Sequence, residues 1–268
     1  MNLGEASIVL RHRPALEVVD LTLRFVRSVA PKQVLLLCGI VLLPLWIGLV
    51  ALRAVEIPWA LLWCAGVVAV RIAEIPFTVL YGHLLFERDV TLKVVFLQSV
   101  RVLGRVLVGF AIYAVLMVLS VVLIFGPLFI GANYFFLPEV LILEKAGPFR
   151  AFKRSHQFLA GRSGTGMEGL MFRTGLMLAF IVLAETLGQS LVRDVLAVHV
   201  ELEDLWGSGG SPLALFGLLV FVPYGAAHRF LAYTNERTRQ DGWDIQIAFL
   251  NLASRGEHRS RRDARHAA

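Results

Sequence analysis

AVRIAEIPFTVLYG, residues 69–82, sets an arginine and a glutamate inside a run that is otherwise almost wholly apolar. The surrounding block, residues 59–81, is long enough to cross a bilayer core, which takes about 20 residues of helix. A central Arg costs about 2.5–3.5 kcal/mol on the insertion scale, and each Leu, Ile or Val returns about 0.3–0.6 kcal/mol. The block can therefore insert, provided Arg71 faces protein or water. Glu74, three residues on, shares the helical face of Arg71 and is its natural partner. Two readings stay open: a buried pair that fixes helix packing, or part of a substrate or proton path. On the first, removing one partner should do more damage than removing both.

The rest of the chain supports insertion. Hydrophobic residues make up 57% of the 268 and charged residues 17%, with a mean hydropathy of +0.70. A soluble domain is about 45–50% apolar and about 25% charged. The expected class is an all-α integral membrane bundle of about six helices, spanning residues 33–53, 59–81, 104–125, 126–143, 169–191 and 212–233. Only the Gly126-Pro127 break separates the third from the fourth, which suits a tight hairpin and leaves the fourth short. Four or five spans also fit the hydropathy; charge favours six. With six, 23 of the 26 Lys and Arg fall on one side, with Arg53 and Arg193 opposite and Arg71 inside the membrane. The positive-inside rule then puts both termini in the cytoplasm. MNLGEASIVLRHRP, at the start, has neither the apolar core nor the cleavage site of a secretory signal, so the first span directs insertion. Residues 1–252 read as one helical membrane domain and 253–268 as a disordered basic tail. Cys38 and Cys64 lie within apolar blocks and read as buried small hydrophobes.

Three segments are amphipathic. GPFRAFKRSHQFLAGR, residues 147–162, sets Phe149, Phe152, His156 and Leu159 against Arg150, Lys153, Arg154 and Gln157. Residues 14–29 set Leu16, Val19, Leu23 and Val26 against Glu17, Asp20, Arg24 and Arg27. Residues 91–103 do the same less cleanly. Each precedes a pair of spans, as either a threefold repeat of elbow and hairpin or three ordinary juxtamembrane helices. The expected contact is with anionic lipids of the cytoplasmic leaflet. Topology accounts for the basic charge, so nucleic-acid binding is not inferred.

Asn133, Glu139 and Glu185 add polar points in or near spans four and five. If Arg71, Glu74, Asn133 and Glu139 converged, they would form an intramembrane polar site. Arg150, Lys153, Arg154, Arg237, Arg239 and Asp244 are the candidate docking residues on the cytoplasmic face, with Glu144 or Glu17 able to meet Arg237 and Arg239. GTGMEG, residues 164–169, matches a dinucleotide fingerprint in letters but has no preceding strand, and reads as a flexible turn. HVELED, residues 199–204, reads as the acidic face of an outer amphipathic helix before a metal site. No catalytic signature, cofactor site or metal site emerges.

RHRPALEVVDLTLRFVR (11–27), LPEVLILEKAGPFRAFKRSHQFLAGR (137–162) and YTNERTRQDGWDIQ (233–246) together resemble a family of bacterial multi-pass membrane proteins of unknown function. That family is related to the membrane domain of glycerophosphodiester phosphodiesterases. Tyr233, Arg237, Arg239, Gly242 and Asp244 match its tail, while Asn235 and Asp241 depart from it. The resemblance implies a six-span domain without the soluble phosphodiesterase barrel, residing in the inner membrane and working with other envelope proteins. The leading functional expectation is accordingly a non-enzymatic scaffold or subunit of a membrane complex, partnered by another membrane protein or a second copy. The alternatives are a transporter or lipid-handling protein using a cavity around Arg71 and Glu74, and a membrane-embedded enzyme.

The topology has a direct test. Reporter fusions after Ser28, Asp89, Gly161 and Gly256 should report the cytoplasm, and a fusion at Gly209 the outside. An outside signal at Gly161 contradicts it.

Overall fold

The computed structural model describes residues 13–29, 31–85, 87, 90–160, 163–195 and 203–241. In chain order the helices are α1 (Ala15–Ser28), α2 (Pro31–Leu37), α3 (Leu43–Arg53), α4 (Trp59–Leu84), α5 (Leu92–Ser120), α6 (Gly126–Asn133), α7 (Leu137–Ile142), α8 (Pro148–Leu159), α9 (Ser163–Ser190) and α10 (Pro212–Asp241). No strand occurs among the described residues. A π-helical stretch, Cys38–Leu42, joins α2 to α3, and a second, Leu191–Val195, continues α9. The first stands just ahead of Pro44, which has no N–H for the Ile40 carbonyl, so the wider turn takes up the break.

Five helical stretches are long and apolar enough to cross a membrane: Pro31–Arg53, Trp59–Leu84, Leu92–Ser120, Gly164–Asp194 and Pro212–Gln240. The segment expected as a fourth span is divided into α6, of 8 residues, and α7, of 6. A turn at Tyr134–Phe136 separates them. Gly126 begins α6 hard against Ser120, where any Cβ would collide with the Ser120 carbonyl. The tight hairpin thus follows from that glycine and Pro127, as the sequence suggested.

Packing centres on α10. Of its apolar stretch 78% is buried, against 50% for α4. The outward faces of the other long helices stay apolar and exposed, including Leu35, Ile47, Val68, Val115, Val118 and Leu183. Such a surface suits lipid and would be a liability in water.

Helices form over both clear amphipathic segments, and each buries a second face in the bundle while leading apolar residues of the expected face stay exposed. In α1 the buried residues are Val18, Thr22, Phe25 and Val26, with Leu16 exposed. In α8 they are Ala151, Ser155, Phe158 and Leu159, and Phe149 is 82% exposed. The third segment is the opening of α5 and buries Val95, Ser99 and Val102. A hydroxyl flanked at −4 and +3 by buried residues recurs in all three (Thr22, Ser99, Ser155). Thr22 and Ser99 donate to the carbonyls of Val18 and Val95, at 2.7 and 2.8 Å, so these two pack without an unmet donor, whereas buried Ser155 Oγ has no partner among the described residues.

GTGMEG is helical rather than a turn. Two of its three glycines serve packing, while Gly164 faces open space. A Cβ on Gly166 would strike the Ala132 carbonyl, and one on Gly169 would lie 2.8 Å from the Phe135 ring. The same device brings α9 and α10 together at Gly217, where a Cβ would approach the Phe180 carbonyl and stand 2.7 Å from Ala184 Cβ.

Gly217→Val should therefore destabilise the bundle by about 1–3 kcal/mol through overpacking. Gly175→Val, at a position with open space, should not. Thermal unfolding in mild detergent compares the two, and equal Tm values would contradict the α9–α10 contact.

Candidate functional site: a buried arginine–glutamate cluster beside a cavity

Glu74 is 1% exposed and stands where α4, α9 and α10 meet. Its Oε1 accepts a hydrogen bond from Arg173 Nη2 of α9. Arg229 Nη2 of α10 lies 3.1 Å from Glu74 Oε2, and Arg229 Nε donates to Glu139 Oε1 at 2.6 Å. Arg71 Nη1 reaches Glu74 Oε2 only at 3.5 Å, from a side chain still 31% exposed. The cluster thus joins three guanidiniums to two carboxylates, with Arg229 bridging both acids. Arginine is the side chain for such a bridge, because its planar fork meets two acceptors at once and its charge is weakly hydrated. The Arg173 guanidinium also lies over the Phe221 ring, 5.1 Å from its centroid.

Of the four residues proposed to converge, Arg71, Glu74 and Glu139 do so. Asn133 does not; its amide donates to the Phe129 carbonyl one turn back, at 2.9 Å. Arg173 and Arg229, by contrast, read in sequence as cytoplasmic cations and are buried here, 7% and 2% exposed. Each is a lone cation in apolar surroundings, GLMFRTGLM and GAAHRFLAY. That pattern, with two buried acids needing counter-charges, was the available signal.

A cavity of about 800 Å³ lies against this cluster, with Arg71, Arg173 and Arg229 on its wall. The remaining wall is nearly all apolar, from α4 (Val67, Val68, Ile72), α5 (Leu107, Phe110, Ala114, Met117) and the α6–α7 region (Gly131, Phe135, Leu137). Its size falls within the range of ligand pockets, about 300–1,000 Å³. Val67, Val68, Ile72 and Leu107 are exposed on the outside of the bundle, so the cavity opens sideways between α4 and α5. Cys64, expected to be buried, is exposed and lines the same cavity. Across Phe135 a smaller pocket of about 300 Å³ is lined by Arg13, Glu168, His228 and Glu236.

The two ends of the bundle are closed by other polar groups. At one end, buried Glu185 accepts hydrogen bonds from the Leu205 amide (3.0 Å) and from Ser211 Oγ. Ser211 in turn accepts from the Ala214 amide at the start of α10. Arg53 forks onto Glu203, with Nε 2.9 Å from Oε2. That hydrogen bond holds the Glu203 carboxyl below the usual carboxylate range. Residues of the acidic stretch before Glu203 lie outside the described set, and no group of three or more metal-ligating side chains occurs among the described residues.

At the other end, the Tyr233 hydroxyl donates to Glu144 Oε1 at 2.7 Å, and Arg237 Nη1 lies 3.4 Å from that hydroxyl. Arg239 pairs with Glu236 of its own helix at 2.6 Å, rather than with Glu144 or Glu17. Arg154 pairs with Glu144 at 3.6 Å and lies over the Phe158 ring. Arg150 and Lys153 are exposed. Asp244 and the basic tail lie outside the described residues.

No family model, curated protein or solved structure matches this chain, and nothing links it to glycerophosphodiester phosphodiesterase membrane domains.

The geometry moves the expected compensation from Arg71 to Arg229. Arg229→Met should cost about 3–5 kcal/mol by stranding Glu139, and Arg229→Met with Glu139→Leu should recover part of that loss. Arg71→Leu, at a half-exposed and longer contact, should cost about 1 kcal/mol or less. Unfolding in detergent measures all three. An Arg71→Leu loss equal to that of Arg229→Met would contradict the cluster as described.

Proposed function

We propose that the protein is a non-enzymatic, multi-pass helical membrane protein that takes lipid-soluble molecules into its lateral cavity, as a transporter or lipid-handling protein. The observation that carries this is the cavity of about 800 Å³, opening between α4 and α5 and reaching the buried arginines. A purely structural ion cluster would be expected to be packed over, because side chains that exclude water and lipid stabilise it at least as well. In this reading α6 and α7 together complete a sixth, broken crossing. Non-helical backbone at membrane depth is tolerated where it lines a cavity, and the Tyr134–Phe136 turn does so. An even number of crossings puts both termini on one face, the cytoplasmic one by charge. α1 and α8 then lie at that face, where exposed Leu16 and Phe149 enter the headgroup region.

A scaffold role within a membrane complex is compatible with the same fold, through the exposed basic face of α8.

Ala114 lines the cavity, so Ala114→Trp should fill it without touching an ion pair. The wild-type protein extracted in mild detergent should retain bound lipid by native mass spectrometry, and Ala114→Trp should lose most of it. Equal retention by both overturns the cavity reading.

A further inference from the structure

We infer that the cavity takes an amphiphile with a single negative charge, its phosphate or carboxylate held by Arg71, Arg173 and Arg229 and its apolar part leaving through the α4–α5 opening. This rests on the lateral-cavity reading and names the ligand class for it.

Charge is the first argument. Guanidinium groups stay protonated in proteins, and the cluster sets three of them against Glu74 and Glu139. One positive charge is left over, and the half-exposed Arg71 offers it to the cavity. A monoanion neutralises it; a dianion overshoots, and a zwitterion adds nothing.

Donor accounting points the same way. Arg229 Nη2 lies 3.1 Å from Glu74 Oε2, Arg173 Nε has no hydrogen-bond partner among the described residues, and both residues are on the cavity wall. Arg71, on the same wall, has only its long contact to Glu74. Three arginines on one cavity wall suit the oxygens of a phosphate or carboxylate, which arginine binds with two parallel bonds. Glu139, the other acid, is not on the wall. The charged groups on the cavity wall are therefore all cationic, beside the neutral hydroxyls of Tyr113 and Tyr134.

The rest of the wall decides the source of that anion. Val67, Val68, Ile72, Leu107 and Met117 give a water-soluble ion nothing to bind on its way in. They do suit an acyl chain or another lipid tail, so a lipid is favoured over free phosphate.

The test uses the full chain in mixed vesicles of phosphatidylglycerol and phosphatidylcholine with identical acyl chains, extracted for native mass spectrometry. Wild type should retain phosphatidylglycerol over phosphatidylcholine by about tenfold, a preference that one charge-assisted bidentate contact can supply. Arg71→Gln, which spares the buried pairs, should bring the two lipids to near parity. Ala114→Trp should lower retention of both, which separates cavity binding from adsorption to basic surface helices. In a second arm, inorganic phosphate added to detergent-solubilised protein should raise Tm less than phosphatidylglycerol does. Equal retention of the two lipids by wild type overturns the inference about charge and leaves the lateral cavity standing. Retention of neither lipid overturns both. A phosphatidylglycerol preference undiminished in Arg71→Gln or Ala114→Trp overturns the site, and a phosphate effect as large as the lipid's overturns the lipid source.

Discussion

Everything in this bundle is arranged around the carboxylate of Glu74. Buried in the middle of α4, it would be strongly disfavoured alone, and it persists because α9 and α10 each bring a guanidinium to it. Through Arg229 the constraint passes to Glu139 and fixes α7, a helix too short to be stable by itself. Four separate elements are thus held in one relation by charge, and apolar packing fills in around them. In lipid this division of labour is reasonable, since tails compete equally well for apolar faces and polar contacts and close packing must set the arrangement.

The ends of the helices obey the same logic with weaker groups. Trp46 and Trp63 donate to the carbonyls of Pro212 and Gly209, at 2.8 and 2.9 Å, and hold the 203–211 segment onto α3 and α4. Opposite, Gln240 donates to the Phe158 carbonyl at 2.6 Å and Asn235 exchanges hydrogen bonds with the Arg13 backbone, seating α8 and α1 on α10. These contacts explain why α10 runs to Asp241, beyond the expected end of its span: its polar residues meet partners, so the helix need not end at the lipid boundary.

Much of the architecture was legible in the sequence because span length and charge bias are strong one-dimensional signals. The five long helices lie where apolar runs predicted them, and Arg71, Glu74 and Glu139, singled out in the sequence, meet in one cluster. Other features needed three dimensions. Arg173 and Arg229 sit close enough to span ends to pass as loop cations in a charge count, yet helices packed on α10 carry them inward. The inner faces of α1 and α8 were not legible, because hydrophobicity alone ranks Leu16 and Phe149 above Thr22 and Ser155, the small residues that are buried. GTGMEG failed as a turn for a related reason: glycine in a membrane helix signals close approach at least as often as flexibility.

Ribosomes deliver these partners in an awkward order. Glu74 emerges 99 residues ahead of Arg173, and Arg229 arrives later still, on α10. While the chain is being made, α4 must wait in or beside the insertion machinery with only Arg71 for company. The cluster cannot settle helix by helix; Glu139 meets its guanidinium only when α10 docks. Assembly is therefore closer to a single final step than to gradual accretion.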